Sequence, residues 1–149
     1  MRAVIQRVTK ARVLVDTRVA GEIGLGLVAL VAVGRSDTPE TAASMAETIV
    51  RLRIFNDDAG KMNLSLLDVQ GALLAVSQFT LYGDARGQRR PSFVQAAPPE
   101  LGKDLYEKLV GAAKSLGVRV ETGIFRTHMS LELTNDGPVT VLLDSEKLF

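Results

Sequence analysis

The run LGLVALVAV, residues 25–33, constrains this chain more than any other stretch. It is rich in aliphatic and β-branched side chains, carries no charge, and is bounded by Gly24 and Gly34. That pattern predicts a strand buried on both faces and therefore central in a sheet. A strand of this kind requires apolar layers on both sides, so the rest of the chain should supply further strands and covering helices.

Upstream, residues 3–19 alternate through Val4, Arg7, Val8, Arg12, Val13 and Val15, which predicts a β-hairpin with its break near residues 9–11. The period changes at Asp37. Asp37 with Glu40 resembles a capping box, Pro39 is tolerated in a first turn, and Ala42, Met45, Ala46, Ile49 and Leu52 fall on one helical face. NDDAGKMN, residues 56–63, is turn chemistry, and residues 64–79 supply a short strand and a longer one separated at Gly71. A second helix is predicted from about Pro99 to Leu116, with Leu101, Leu105, Leu109 and Ala112 in its stripe and Gly117 as its stop. Residues 118–121, 129–134 and 139–143 complete the set as strands. The expected fold is α/β in the α+β sense: one domain over residues 1–149, with two main helices and a mostly antiparallel sheet that curls toward a barrel.

Composition narrows the functional classes. A chain of 149 residues with 46% hydrophobic and 23% charged residues is a globular one. A net charge of +1 gives no general affinity for polyanions, so any nucleic-acid contact must rest on a local patch. No cysteine is present and His128 is the only histidine, which excludes thiol chemistry and a two-histidine metal site; no metal or other cofactor is expected. Neither GxxxxGK[ST] nor GxGxxG occurs. The longest apolar run, residues 23–33, falls short of the roughly 20 residues that span a bilayer. The opening MRAVIQRVTKARVLV alternates where a secretory leader would be continuously apolar, so a cytoplasmic protein with no membrane partner is expected.

Two stretches carry the candidate chemistry. In SQFTLYGD an apolar strand ends in polar groups: Ser77 and Phe79 point one way in a regular strand, Gln78 and Thr80 the other. Hydroxyls and free backbone N–H groups there suit a carbonyl substrate and its oxyanion, although a plain strand end reads the same way. ARGQRRPSF then places Arg86, Arg89 and Arg90 in a loop, either a solvated surface or a phosphate-contacting patch. NDGPVT, residues 135–140, looks like a hairpin turn until Pro138, which cannot donate to a ladder. Spacing alone leaves a plain turn and a cis Gly137–Pro138 bond both open.

Taken in order, SQFTLYGD, RPSF and NDGPVT resemble the D-aminoacyl-tRNA deacylase family of the bacterial and eukaryotic D-Tyr-tRNA deacylase type. MRAVIQRV, GEIGLGL, FNDDAGKMN and GIFRTHM extend the resemblance over the whole chain. It implies hydrolysis of the ester joining a D-amino acid to the 3′-terminal ribose of a tRNA, and by extension of glycine mischarged on the alanine tRNA. The implied partners are the CCA end of an aminoacyl-tRNA and a second copy of the chain. In such a homodimer Ser77, Gln78, Phe79 and Thr80 of one copy meet Gly137 and Pro138 of the other, which act as a gate against L-amino acids. Phe125 and Met129 become candidates for the wall around the terminal adenosine, and Arg7 for a brace of the Gly-Pro turn. Thr80 is either a nucleophile or a bystander to water assisted by the RNA 2′-hydroxyl. A non-catalytic nucleic-acid-binding module and a metal-free hydrolase of small D-amino acid esters remain the alternatives.

Overall fold

A computed structural model describes residues 1–149. Its organising element is β1 (Arg2–Val15), a strand hydrogen-bonded along both sides. On one side β8 (Ser130–Asp144) runs antiparallel to it for nearly its full length. The other side is divided: residues 2–8 pair with β3 (Gly26–Ala32), and residues 11–15 pair with β2 (Arg18–Ile23). Both pairings are antiparallel. From β3 the sheet continues in parallel to β6 (Ala72–Ser77) and β7 (Arg119–Thr122), giving the order β2-β1-β3-β6-β7. The outer strands then approach each other: the Arg119 guanidinium donates to the Glu22 carbonyl at 3.4 Å, and a Cβ on Gly21 would lie 2.5 Å from the Thr122 oxygen. The result is a nearly closed barrel-like sheet, mostly antiparallel, with two parallel pairings at its β7 end.

The barrel interior is filled by Val8, Val13, Ile23, Val28, Leu74 and Val76. On the outer face, Leu27, Ala29, Val31, Leu73 and Ala75 pack beneath α1 (Pro39–Arg51) and α2 (Pro99–Ser115). The run 25–33 therefore lies between two apolar layers, as its composition requires. A small hairpin, β4 (Phe55–Asn56) with β5 (Met62–Leu64), stands apart from the main sheet. No helix is long and apolar enough to cross a membrane.

Four expectations are corrected. Residues 9–11 form a bulge rather than a turn: the register slips between Val8 and Lys10, β1 continues, and the chain reverses at Asp16, whose φ is 56°. The slip explains the faltering alternation, because Ile5 packs beneath the helices whereas Val8 and Val13 enter the barrel. The cap of α1 is Thr38 with Thr41, not Asp37 with Glu40. Asp37 is engaged elsewhere, accepting from the Gly34 N–H at 2.6 Å and the Met1 ammonium at 2.5 Å. Residues 129–143 are not two strands around a hairpin but one strand with an excursion. Finally, β6 stops at Ser77, so residues 77–80 do not alternate as a strand would.

The parallel β3–β6 contact leaves no room at Gly26, where a Cβ would sit 1.9 Å from the Ala72 oxygen; Gly24 has nothing within 4 Å. Gly26→Ala is expected to cost about 3 kcal/mol of stability, and Gly24→Ala less than about 0.5 kcal/mol, as read from urea midpoints.

Candidate active site

The end of β6 is where the chain changes conformation. The Gln78 N–H still bonds to the Val31 oxygen at 2.8 Å, as a continuing strand would. Gln78 then takes φ −144° and ψ 70°, and residues Phe79–Tyr82 form a single 3-10 turn. The first N–H groups of such a turn have no partner within it. Those of Phe79 and Thr80 have no acceptor anywhere in the chain, and both residues are exposed. Arg2 holds the turn in place: it donates to the Leu81 oxygen at 3.2 Å, lies 4.6 Å from the centre of the buried Tyr82 ring, and pairs with Asp144 at 3.3 Å.

Ser77, Gln78 and Phe79, with Phe125 and Arg126, form a ridge between two cavities. One, of about 420 Å³, lies toward α2 and is lined by Phe93, Ala97, Gly102 and Tyr106. The other, of about 470 Å³, runs beneath residues 125–129 to Leu131 and includes His128 and Met129. Phe125 packs 6.3 Å from the Tyr106 ring. The Tyr106 hydroxyl donates to the Ala75 oxygen at 2.8 Å, tying α2 to β6 two residues before the ridge. Desolvation, with a smaller contribution from Glu107, pushes that hydroxyl well above the usual tyrosine range, so it remains a neutral donor.

Thr80 lacks the surroundings of an activated nucleophile. Its hydroxyl is hydrogen-bonded to the Gln78 side-chain amide, and no histidine, lysine or carboxylate shares it. His128 is exposed and makes no side-chain hydrogen bond to Thr80.

The second stretch sits on β8. Gln6 pairs with Thr140 and Val8 with Asn135, so five steps of β8 answer two of β1 and three residues are extruded. The Gly137–Pro138 bond at the tip is cis, and Gly137 has φ +120°. The Asn135 amide closes the neck, donating to the Arg7 oxygen at 2.9 Å and the Val139 oxygen at 3.0 Å. Arg7 braces the excursion from below. Its side chain is only 8% exposed; Nε lies 3.3 Å from the Asp136 oxygen and 3.0 Å from the Asp136 carboxylate, while Nη1 donates to the Ile54 oxygen at 2.7 Å and reaches Asn56 at 3.4 Å. The loop beyond Asn56 is stiffened by Asp57, which accepts from Asn63, Lys61 and Ala59. The Asn63 bond and the Lys61 N–H hold its carboxyl below the usual carboxylate range.

Ser77, Gln78, Phe79, Phe125 and Met129 thus converge, and Arg7 joins Gly137 and Pro138. The two groups do not meet within one chain. Val8, opposite Asn135, pairs with Gly26, and Gly26 with Ala72, whereas Ser77 lies at the far end of β6. Three strand steps of about 4.8 Å and five residues of about 3.3 Å separate them. Tyr106, Asn56, Asn135 and Arg2 are positioning residues that sequence reasoning missed. Only Tyr106 left a trace, as an aromatic with a polar tip beside the Leu105–Leu109 stripe.

A family model described as D-Tyr-tRNA(Tyr) deacylase matches residues 4–144. The chain is 58% identical over 149 residues to a D-aminoacyl-tRNA deacylase of Fervidobacterium nodosum, and 55% identical to one of Thermotoga petrophila, with 100% of each chain covered in both cases. It also resembles a solved structure of a c-Myc DNA unwinding element binding protein, with 35% identity, a TM-score of 0.91, and 97% and 99% of the two chains covered. A probable eukaryotic D-amino acid tRNA deacylase shares the fold at a TM-score of 0.82 and 20% identity, over 95% and 97% of the chains. The chain belongs to the D-Tyr-tRNA(Tyr) deacylase family.

Arg7→Ala leaves the buried Ile54 oxygen and the Asp136 oxygen of the excursion without their arginine partner, and is expected to cost about 1–3 kcal/mol. Amide exchange at residues 135–139 should accelerate. Arg7→Lys restores neither, because a point charge does not span both partners.

Proposed function

We propose that the protein hydrolyses the ester of D-aminoacyl-tRNA, and of glycine mischarged on tRNA, while sparing L-aminoacyl-tRNA. It acts as a homodimer in the cytosol, a proofreading step that returns free tRNA. The observation that carries this reading is the pair of unpartnered N–H groups at Phe79, on the ridge between two cavities, and at Thr80, the next residue of the same turn. Donors fixed in this way suit the oxyanion that forms when water adds to an ester carbonyl, and one such donor is commonly worth about 2.7–4 kcal/mol of barrier.

Water attacks the carbonyl carbon and the bond from that carbon to the ribose 3′-oxygen breaks. The carboxyl group keeps the hydroxyl of water, and the 3′-oxygen leaves with a proton relayed by the neighbouring 2′-hydroxyl. Thr80 orients the ester rather than attacking it, in keeping with a hydroxyl that has no base beside it. Phe125 and Met129 line the space for the terminal adenosine.

The gate comes from a second copy. Gly137 and Pro138 lie too far from Ser77 in their own chain, and the excursion projects from a strand whose outer edge is unpaired. The carbonyls of Gly137 and Pro138, which follow the Asp136 that Arg7 holds, accept from the α-ammonium and oppose any side chain directed at them. A D-amino acid turns its side chain away, glycine has none, and an L-amino acid clashes.

Purified protein at sub-stoichiometric concentration is expected to release D-tyrosine and glycine from their tRNAs and leave L-tyrosyl-tRNA intact; binding without release would overturn the enzymatic reading. Thr80→Ala should lower kcat by less than about tenfold, whereas loss of the 10²-fold or more that general acid–base groups supply would restore Thr80 to the chemistry. A model ester lacking the vicinal hydroxyl should turn over poorly. Gly137→Ala, whose Cβ would lie 2.7 Å from Val139 Cγ2 and 3.1 Å from Arg7 Nη2, should weaken discrimination between D- and L-tyrosyl-tRNA; undiminished rejection of the L-form would remove the gate.

A further inference from the structure

We propose that the opening beside residues 77–80 is a platform for single-stranded RNA, taking the nucleotides immediately 5′ of the terminal adenosine; this rests on the aminoacyl-tRNA reading above. The exposed Phe79–Phe93 pair stacks an unpaired base, and Arg35, Arg89, Arg90 and Arg126 receive the phosphates around it.

The charge distribution singles out this surface. The chain has 12 arginines. Arg2, Arg7, Arg12, Arg51, Arg86 and Arg119 each pair with a carboxylate, which leaves Arg18, Arg35, Arg53, Arg89, Arg90 and Arg126 without one. Two of those remaining line one cavity, and two more lie in the loop that leads into it. Arg35 and Arg126 line the cavity of about 420 Å³. Arg89 and Arg90 sit in the loop closed by the Asp84–Ser92 bridge, and the next residue, Phe93, enters the same cavity. The one acid of that loop is already satisfied, since Asp84 accepts from Arg86 Nε at 2.9 Å and Nη2 at 2.6 Å. No aspartate or glutamate lines the cavity. Against a net charge of +1, the positive field here is local.

The apolar part of the opening suits bases. Phe79 is 58% exposed and Phe93 36%, with ring centres 5.2 Å apart and planes inclined at 69°. Val94, next to Phe93, and Ile124, next to the cavity-lining Phe125, are exposed as well. Arg35 is hydrogen-bonded through Nε to the Val94 oxygen, which leaves its terminal nitrogens free. Aromatic faces interleaved with guanidinium groups favour single-stranded nucleic acid over an acidic peptide, which would have no use for the rings.

The test compares wild type with Arg89→Ala/Arg90→Ala and with Phe93→Ala, using a single-stranded RNA oligonucleotide ending in CCA, D-tyrosyl-tRNA, and D-tyrosyl-adenosine. Removing two phosphate contacts should flatten the slope of log affinity for the oligonucleotide against log salt by about 1.4. It should raise KM for D-tyrosyl-tRNA about tenfold with kcat unchanged, and leave turnover of D-tyrosyl-adenosine as it was. Phe93→Ala should weaken oligonucleotide binding about tenfold without altering the salt slope. Unchanged slope and KM in the arginine variant, or equal losses on tRNA and on the adenosine ester, would overturn the platform. A wild-type protein that cleaves neither ester would overturn the proposed activity instead, while the oligonucleotide titration still decides the platform.

Discussion

The geometry of this molecule depends on the two-sided hydrogen bonding of β1. A strand paired along one side with β8, and along the other with β3 and then β2, fixes the register of four strands at once. Because side chains alternate with a period of two, a slip of one residue anywhere along β1 would turn the barrel filling outward. The register slips at the bulges beside Val8 and, toward β2, between Val13 and Leu14. Beside Val8, β1 shifts its apolar face from the helices to the barrel interior, and there β8 extrudes residues to either side of Pro138. The irregularity that lets one strand serve two cores is also what lifts the Gly-Pro segment clear of the sheet.

Both halves of the candidate site are made largely of main chain. At one end of β6 the polypeptide leaves the strand for a short turn and exposes two N–H groups. On β8 it leaves the ladder and exposes carbonyls, under the control of a buried arginine. Side chains mostly act from beneath: Arg2 under the first turn, Tyr106 beside it, Arg7 and Asn135 under the excursion. In the proposed mechanism chemistry and selectivity then come from fixed dipoles, and no ionisable side chain has to hold a tuned protonation state. The absence of a base beside Thr80 belongs to that design.

Much of this was legible in the sequence, in a way that follows the range of the interactions. The doubly buried β3 and the bounds of α2 were readable because composition, stripe and a glycine stop are local signals. The break assigned to residues 9–11, the cap assigned to Asp37 and the hairpin assigned to residues 129–143 were misread because each is decided by partners far along the chain: β8 for the bulge, Gly34 and Met1 for Asp37, β1 for β8. The motif residues 77–80 and 137–138 were found through family resemblance, and their spacing alone chose between neither the turn types nor the isomers of Gly137–Pro138. Tyr106 and Asn56 escaped notice because their partners lie 31 and 49 residues away.

The excursion on β8 has a further consequence for how the protein behaves at high concentration. A flat, unpaired edge of 15 residues invites another strand to add to it and would be a hazard for aggregation. Pro138 supplies no N–H, and the extruded segment divides that edge into two short stretches, one of them carrying the exposed carboxylate of Glu132. Neither stretch offers a long uninterrupted template for a ladder. The same few residues that shape the site thereby guard the sheet against uncontrolled strand addition, and a substitution that straightened β8 would threaten solubility as well as selectivity.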